Sequence, residues 1–237
     1  MTVSKRVLLF GMVLFALTAV LMGQTRTGNP ELTVEQSYLQ DTIELAIIRE
    51  QSRADSREMK MVALEYISDA IERGNRSDEI RLALEHLSME GVVNITRESG
   101  RVVNNYPDVR TRAATYLGEL GTPEAKNTLL RMVRADNEPM VLTEAIKSLG
   151  NIGLNDNNET VNTIVWTATR YDNLNPDNLL ALSTIVALEK LALANNGIAN
   201  QAAIQYLIRV ADGNYIRPVQ ERARQALMEI RRFNVQN

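Results

Sequence analysis

His86 is the one histidine in 237 residues, and the chain has no cysteine. Thiol nucleophiles, thiolate metal ligation and disulfide bracing are therefore excluded, as is any histidine-rich metal centre. The adjacent Glu85 cannot pair with His86 on a helix, because residues one apart do not share a face. No glycine-rich phosphate loop, nucleophile elbow or paired-carboxylate motif occurs. What remains is chemistry of recognition. The segment 91–106 runs Val-Val-Asn-Ile-Thr-Arg, then Glu-Ser-Gly, then Arg-Val-Val-Asn, which predicts a small β-hairpin turning at Gly100. Its edge could add to a partner strand, with Asn94, Arg97, Arg101, Asn104, Asn105 and Tyr106 as candidate contacts. Further candidates are Arg110, Arg112 and Lys147, read with Arg224 as exposed cations among Glu119, Glu144 and Glu221. A mixed-charge face of this kind suits a protein partner. Trp166 stands among Val161, Ile164, Val165 and Ala168 and is expected in the core. The expectation is a non-enzymatic chain with no catalytic residue, no metal and no cofactor.

Composition agrees with recognition rather than with nucleic-acid chemistry. A net charge of −3 gives no basic footprint for a polyanion, so no nucleic-acid partner is expected. The hydrophobic fraction of 45% is that of a folded chain. Lys5 and Arg6 precede the apolar run from Val7 to Met22, and a polar stretch follows. That order predicts a secretory signal peptide over 1–23, with 24–32 as a linker. The alternative is retention of 7–22 as a short membrane anchor, which would make the protein a tethered assembly subunit. Removal of 1–23 takes away two cations and moves the net charge from −3 to −5. Export to a bacterial periplasm is the expected destination, and a cysteine-free chain suits an oxidising compartment.

The elements that must position these residues follow from an internal repeat. Val109, Ala113, Leu117 and Leu120 return as Val141, Ala145, Leu149 and Ile152, and again as Val219, Ala223, Leu227 and Ile230. Looser copies are Met59, Ala63, Ile67, Ala70 and Leu180, Thr184, Leu188, Leu191. This spacing holds the four positions on one helical face. Between the copies lie second amphipathic stretches at 33–53, 77–90, 122–135, 158–172 and 198–212. Helix starts are expected at Thr33 with Gln36, Asp55 with Glu58, Ser77, Thr122-Pro123 and Asn175-Pro176. Stops are expected at Gly74, Gly121, Gly153, Gly197 and Gly213. The result is an all-α repeat domain over 33–232, five antiparallel helix pairs with an insertion at 91–106, and a tail at 233–237.

Residues 107–153 resemble HEAT repeats, particularly the short HEAT-like repeats of phycobilisome lyases. The resemblance is carried by Asp108-Val109-Arg110, Ala113-Ala114, Leu117-Gly118-Glu119-Leu120-Gly121, Pro123-Glu124-Ala125 and Asp136, then Leu149-Gly150 and Ile152-Gly153. It implies an α-solenoid whose concave face is built from the second helix of each pair. It also implies an arginine that bridges neighbouring repeats at Arg110, which Leu142 and Gln220 replace in other copies. Two functional expectations follow. The first is a scaffold or adaptor of the cell envelope, binding through the concave face and the insertion. The second, implied by the resemblance, is a lyase or chromophore-handling enzyme.

Overall fold

The computed structural model describes residues 34–235; the apolar run Val7–Met22, the linker and the cap residue Thr33 lie outside them. Among the described residues the chain forms ten α-helices and one small sheet. They run α1 (Val34–Arg53), α2 (Arg57–Glu72), α3 (Asp78–Ser88), β1 (Arg97–Glu98), β2 (Arg101–Val102), α4 (Pro107–Leu120) and α5 (Pro123–Ala135). There follow α6 (Pro139–Ile152), α7 (Glu159–Leu174), α8 (Asn178–Ala194), α9 (Gln201–Asp212) and α10 (Arg217–Val235). A boundary between two compact units, Met1–Thr42 and Ile43–Asn237, crosses α1. Of the first unit only the opening turns of α1 are described.

The second unit is an all-α solenoid. The template residues do what their spacing demands: Val109, Ala113, Leu117, Val141, Ala145, Leu149, Val219 and Ala223 are all buried in one continuous core. Met59 departs from its copies, lying 46% exposed. Helix boundaries have local causes. The Thr122 hydroxyl accepts from the Ala125 N–H at 3.2 Å, with Pro123 at the first helical position. Gly121 and Gly153 end α4 and α6 in the left-handed conformation that glycine adopts without cost. Two expected starts shift. Ser56, not Asp55, caps α2, and its hydroxyl donates to Glu58 at 2.8 Å. Asp177, not Asn175, caps α8, its carboxylate accepting from the Leu180 N–H at 2.8 Å, while Asn175 closes α7. Gly213 closes α9 in an extended rather than left-handed conformation.

Two helical layers result. One holds α3, α5, α7 and α9; the other holds α2, α4, α6, α8 and α10. The second layer is the tighter one, because small residues let backbones meet. A Cβ on Gly118 would stand 2.6 Å from Ser148 Oγ, and one on Gly150 would stand 2.7 Å from Ala187 Cα. In the first layer, long polar side chains span the gaps: Arg131 reaches Glu85 at 3.0 Å and Arg134 reaches Glu159 at 3.1 Å. This second layer, built from the second helix of each pair, is the one that the HEAT resemblance implies to be the inner, concave surface.

Candidate functional site

The insertion between α3 and α4 is built from its ends inward. The Met89 carbonyl, just past α3, accepts from the N–H groups of Val92, Val93 and Asn94 at 3.0–3.2 Å, turning the chain sharply. Gly91 has φ +73°, and a Cβ there would fall 2.4 Å from the Asn104 carbonyl oxygen, so the turn and the return strand require glycine. Arg97 pairs with Val102 and Glu98 with Arg101 in an antiparallel register, and Val103 N–H donates to the Thr96 carbonyl at 3.0 Å. Ser99 and Gly100 both take positive φ, the two-residue turn that matches strand twist. The hairpin read from the sequence is present, with Gly100 in its turn.

A buried polar network fastens the hairpin to the solenoid. Asn104 Nδ2 donates to Glu90 Oε1 and to the Asn94 carbonyl, both at 2.7 Å, while Asn104 Oδ1 accepts from Thr96 N–H at 2.8 Å. Glu90, 4% exposed, also faces Lys60 Nζ at 3.2 Å, and Lys60 is 2% exposed. Lys60 donates to the Ser52 carbonyl as well, at 3.3 Å. Arg110, 1% exposed, sends Nη1 to the Glu90 carbonyl at 3.0 Å and to Asn105 Oδ1 at 2.9 Å. Its other edge meets Asp136: Nε to Oδ2 at 2.6 Å and Nη2 to Oδ1 at 3.3 Å. Asp136 Oδ1 then accepts from the N–H groups of Asn137 and Glu138, which open α6. Each buried charge thus has an opposite charge and further hydrogen bonds, the condition under which buried ions are tolerated.

These contacts revise the expected binding set. Arg110 is not an exposed cation but the bridge between the insertion and the next repeat, the role that the family resemblance implies for it. Asn104 is buried and bonded within the hairpin. Asn94 is half-buried, its amide donating to the His86 carbonyl at 3.2 Å, and Tyr106 is half-buried, its hydroxyl donating to the Asp55 carbonyl at 3.4 Å. Arg97, Arg101 and Asn105 are exposed, Asn105 through an edge not used by Arg110. On the inner surface Arg112 and Lys147 are exposed; Lys147 lies 3.1 Å from Glu144, which also accepts from Thr115 at 2.9 Å.

What the sequence reading missed is how much of the hairpin's apolar side-chain surface stays in water. Val93 is 63% exposed, and Ile95, Val102 and Val103 are exposed beside it. Four β-branched side chains in water on a fastened hairpin are unlike the scattered exposed apolars of an ordinary surface. The alternation Val93-Asn94-Ile95-Thr96 on the first strand was the available signal.

Two other expectations change. Trp166 is not in the core: it is 54% exposed, with the Arg170 guanidinium 5.0 Å from its ring centroid. Its helical neighbours Asn162, Thr169 and Asn173 are polar and lie four, three and seven residues away, so periodicity would have placed it on the polar face. His86 does have an acidic neighbour, Glu90 at i+4, with Nε2 3.7 Å from Oε2. Burial nonetheless lowers the imidazole below its ordinary pKa, outweighing the Glu90 charge. Among the described residues no cluster of three or more acidic or histidine side chains could hold a metal ion, and no helix is long and apolar enough to cross a membrane.

Comparison with known families matches residues 102–170, from β2 into α7, to the family of HEAT repeats. Comparison with curated proteins finds no match.

Proposed function

We propose, from the premise that residues 102–170 are HEAT repeats, that the protein is an exported, non-enzymatic scaffold of the bacterial cell envelope. It holds another protein through the 91–106 hairpin, with the inner surface around Arg112 and Lys147 as the adjoining contact. HEAT solenoids present extended surfaces to protein partners. The observation that carries the reading is the pairing of opposites in the insertion. Its base is fixed by buried charges, while its outer faces leave Val93, Ile95, Val102 and Val103 in water beside Arg97 and Arg101. A fixed segment with β-branched side chains and short open edges is suited to strand addition and apolar contact. The basic head and apolar run at the N-terminus support the placement in the envelope.

The test must spare the network, so excision of 94–104 is unsuitable: it removes Asn94 and Asn104 together. The combined substitution V93S, I95S, V102S and V103S keeps every buried bond. The expected outcome is an unchanged thermal transition and loss of a protein partner that the wild type captures from crosslinked host envelopes. Equal capture by the two proteins would remove the hairpin from the interface and leave R112E with K147E as the comparison for the inner surface. Failure of the wild type to capture any protein would overturn the scaffold reading.

A further inference from the structure

The groove between α7 and α9 differs chemically from the rest of the outer layer. The neighbouring helix gaps are closed by ion pairs, Glu85 with Arg131 and Glu159 with Arg134. Among the described residues no carboxylate lines the groove between α7 and α9. Trp166, half of it exposed, lines one side, and the buried Tyr206 lines it as well. Arg170 is held over the Trp166 ring and donates from Nη2 to Asn137 Oδ1 at 3.1 Å. Both partners are neutral, and among the described residues Arg170 has no carboxylate within ion-pairing distance. From α9, Arg209 faces the same space; its Nη1 lies 3.5 Å from Asn173 Oδ1 and 3.9 Å from Asp172, whose carboxylate also accepts from the Tyr215 hydroxyl.

The amides in the groove are oriented by the protein itself. Asn162 Oδ1 accepts from Asn200 Nδ2 at 2.7 Å, and Asn173 Oδ1 faces Arg209. In each the oxygen is engaged and the amide N–H groups are left over. The groove therefore offers donors, a cation without an acidic partner and a ring face, in a chain whose net charge is −3.

We propose that this groove binds an extended acidic peptide segment: a side-chain carboxylate docks on Arg170 beside Trp166, and backbone carbonyls accept from Asn162 and Asn173. Two arginines, with Arg170 lacking an acidic partner, favour an acidic ligand, and the amides and hydroxyl of Asn162, Asn173, Gln205 and Thr169 supply the donors and acceptors that a peptide backbone pairs with. Asn162 and Asn173 are eleven residues apart, about 16 Å along a helix. That length accommodates about five residues of extended chain. The groove lies on the opposite layer from the inner surface and is independent of the hairpin.

Trp166 is the one tryptophan of the chain, so its emission reports directly on the groove. The probes are an end-capped peptide of six glutamates flanked by glycines, its six-lysine counterpart, and oligogalacturonate as an acidic saccharide. The expected result is a saturable change in Trp166 emission with the glutamate peptide alone, weakening as salt rises. R170Q should weaken binding about tenfold, the worth of one charge-assisted hydrogen bond, with an unchanged thermal transition, whereas R112Q on the inner surface should not alter it. The proposal is overturned by absence of saturable binding of the glutamate peptide in both fluorescence and calorimetry. Equal affinity in R170Q, or tighter binding of oligogalacturonate than of the peptide, overturns it as well. Loss of the hairpin interaction would leave this result untouched.

Discussion

Glu90→Gln is the substitution that most sharply tests how the insertion is held. Glutamine keeps one side-chain oxygen to accept from Asn104 but puts an amide N–H where Oε2 faced Lys60, so the charge and the acceptor opposite Lys60 are lost together. Lys60 is then a buried cation whose one remaining bond is to the Ser52 carbonyl. At the 3.2 Å separation of the pair, the Coulomb attraction is about 5 kcal/mol at an effective dielectric of about 20. Breaking one half of a buried pair costs about 3–5 kcal/mol in practice. Against a typical stability of about 5–15 kcal/mol this is a large fraction. For a chain of this size it should lower the midpoint of thermal unfolding by roughly 10–15 °C. The assay is circular dichroism at 222 nm on heating, joined to a double-mutant cycle with Lys60→Met. Removing the stranded ammonium should recover more than half of the loss, giving a coupling of at least about 2 kcal/mol. A fall of less than about 3 °C in E90Q, or strictly additive effects in the cycle, would refute the claim that the Lys60–Glu90 charge pair secures the hairpin base.

Other consequences are as specific. Gly150→Ala gains about 1 kcal/mol of helix propensity, but its Cβ would stand 2.7 Å from Ala187 Cα, and overpacking costs about 1–3 kcal/mol. Net destabilisation in urea unfolding is expected, and a stabilised G150A would disprove the close approach of α6 and α8. His86 titrates below its ordinary value in the fold, chiefly through burial and against the attraction of Glu90, with Lys60 and Arg53 also lowering it. The unfolded chain therefore binds the proton more readily, so stability is full above the unfolded pKa and declines as pH falls from about 7 through about 6.5. In H86Q that part of the slope should vanish; comparing midpoints of the two proteins between pH 7.5 and 5.5 isolates the imidazole, and parallel curves would contradict its burial.

Helix pairing was legible because each repeat writes its buried face locally. Val109, Ala113 and Leu117 need no knowledge of the rest of the chain to be placed on one face. The hairpin was legible for the same reason, since Ser99-Gly100 and the flanking valines are contiguous. Arg110 was misplaced because its partners are not: Glu90 lies twenty residues before it and Asp136 twenty-six after. A charged residue beside Val109 reads as solvent-facing until those distant groups are known to converge on it. Trp166 was misread for a different reason. Its adjacency to Val161, Ile164, Val165 and Ala168 suggested the core, whereas its spacing from Asn162, Thr169 and Asn173 already assigned it to the polar face. Periodicity was the better guide than adjacency, because the core side of α7 is filled by Val161, Ile164, Val165 and Ala168.

The way the insertion is fastened bears on why it exists. A sixteen-residue ornament could be held most economically by apolar packing, since a buried ion pair replaced by well-fitted hydrophobic groups is often no less stable. Here the valines and Ile95 point to water, while Glu90, Lys60, Arg110 and Asp136 are drawn inside. Hydrophobic contact is tolerant of small shifts, whereas the Arg110–Asp136 fork and the three bonds of Asn104 each accept one geometry. The polar base therefore fixes the direction in which the hairpin projects and keeps its apolar side chains from collapsing onto the solenoid. On this account N104A should affect orientation more than fold. It removes the bonds to Glu90, to the Asn94 carbonyl and from Thr96 N–H, so amides 94–103 should lose hydrogen-exchange protection while α5 to α8 keep theirs. Retained protection across 94–103 in N104A would show that the apolar side chains, not the buried polar groups, hold the segment in place.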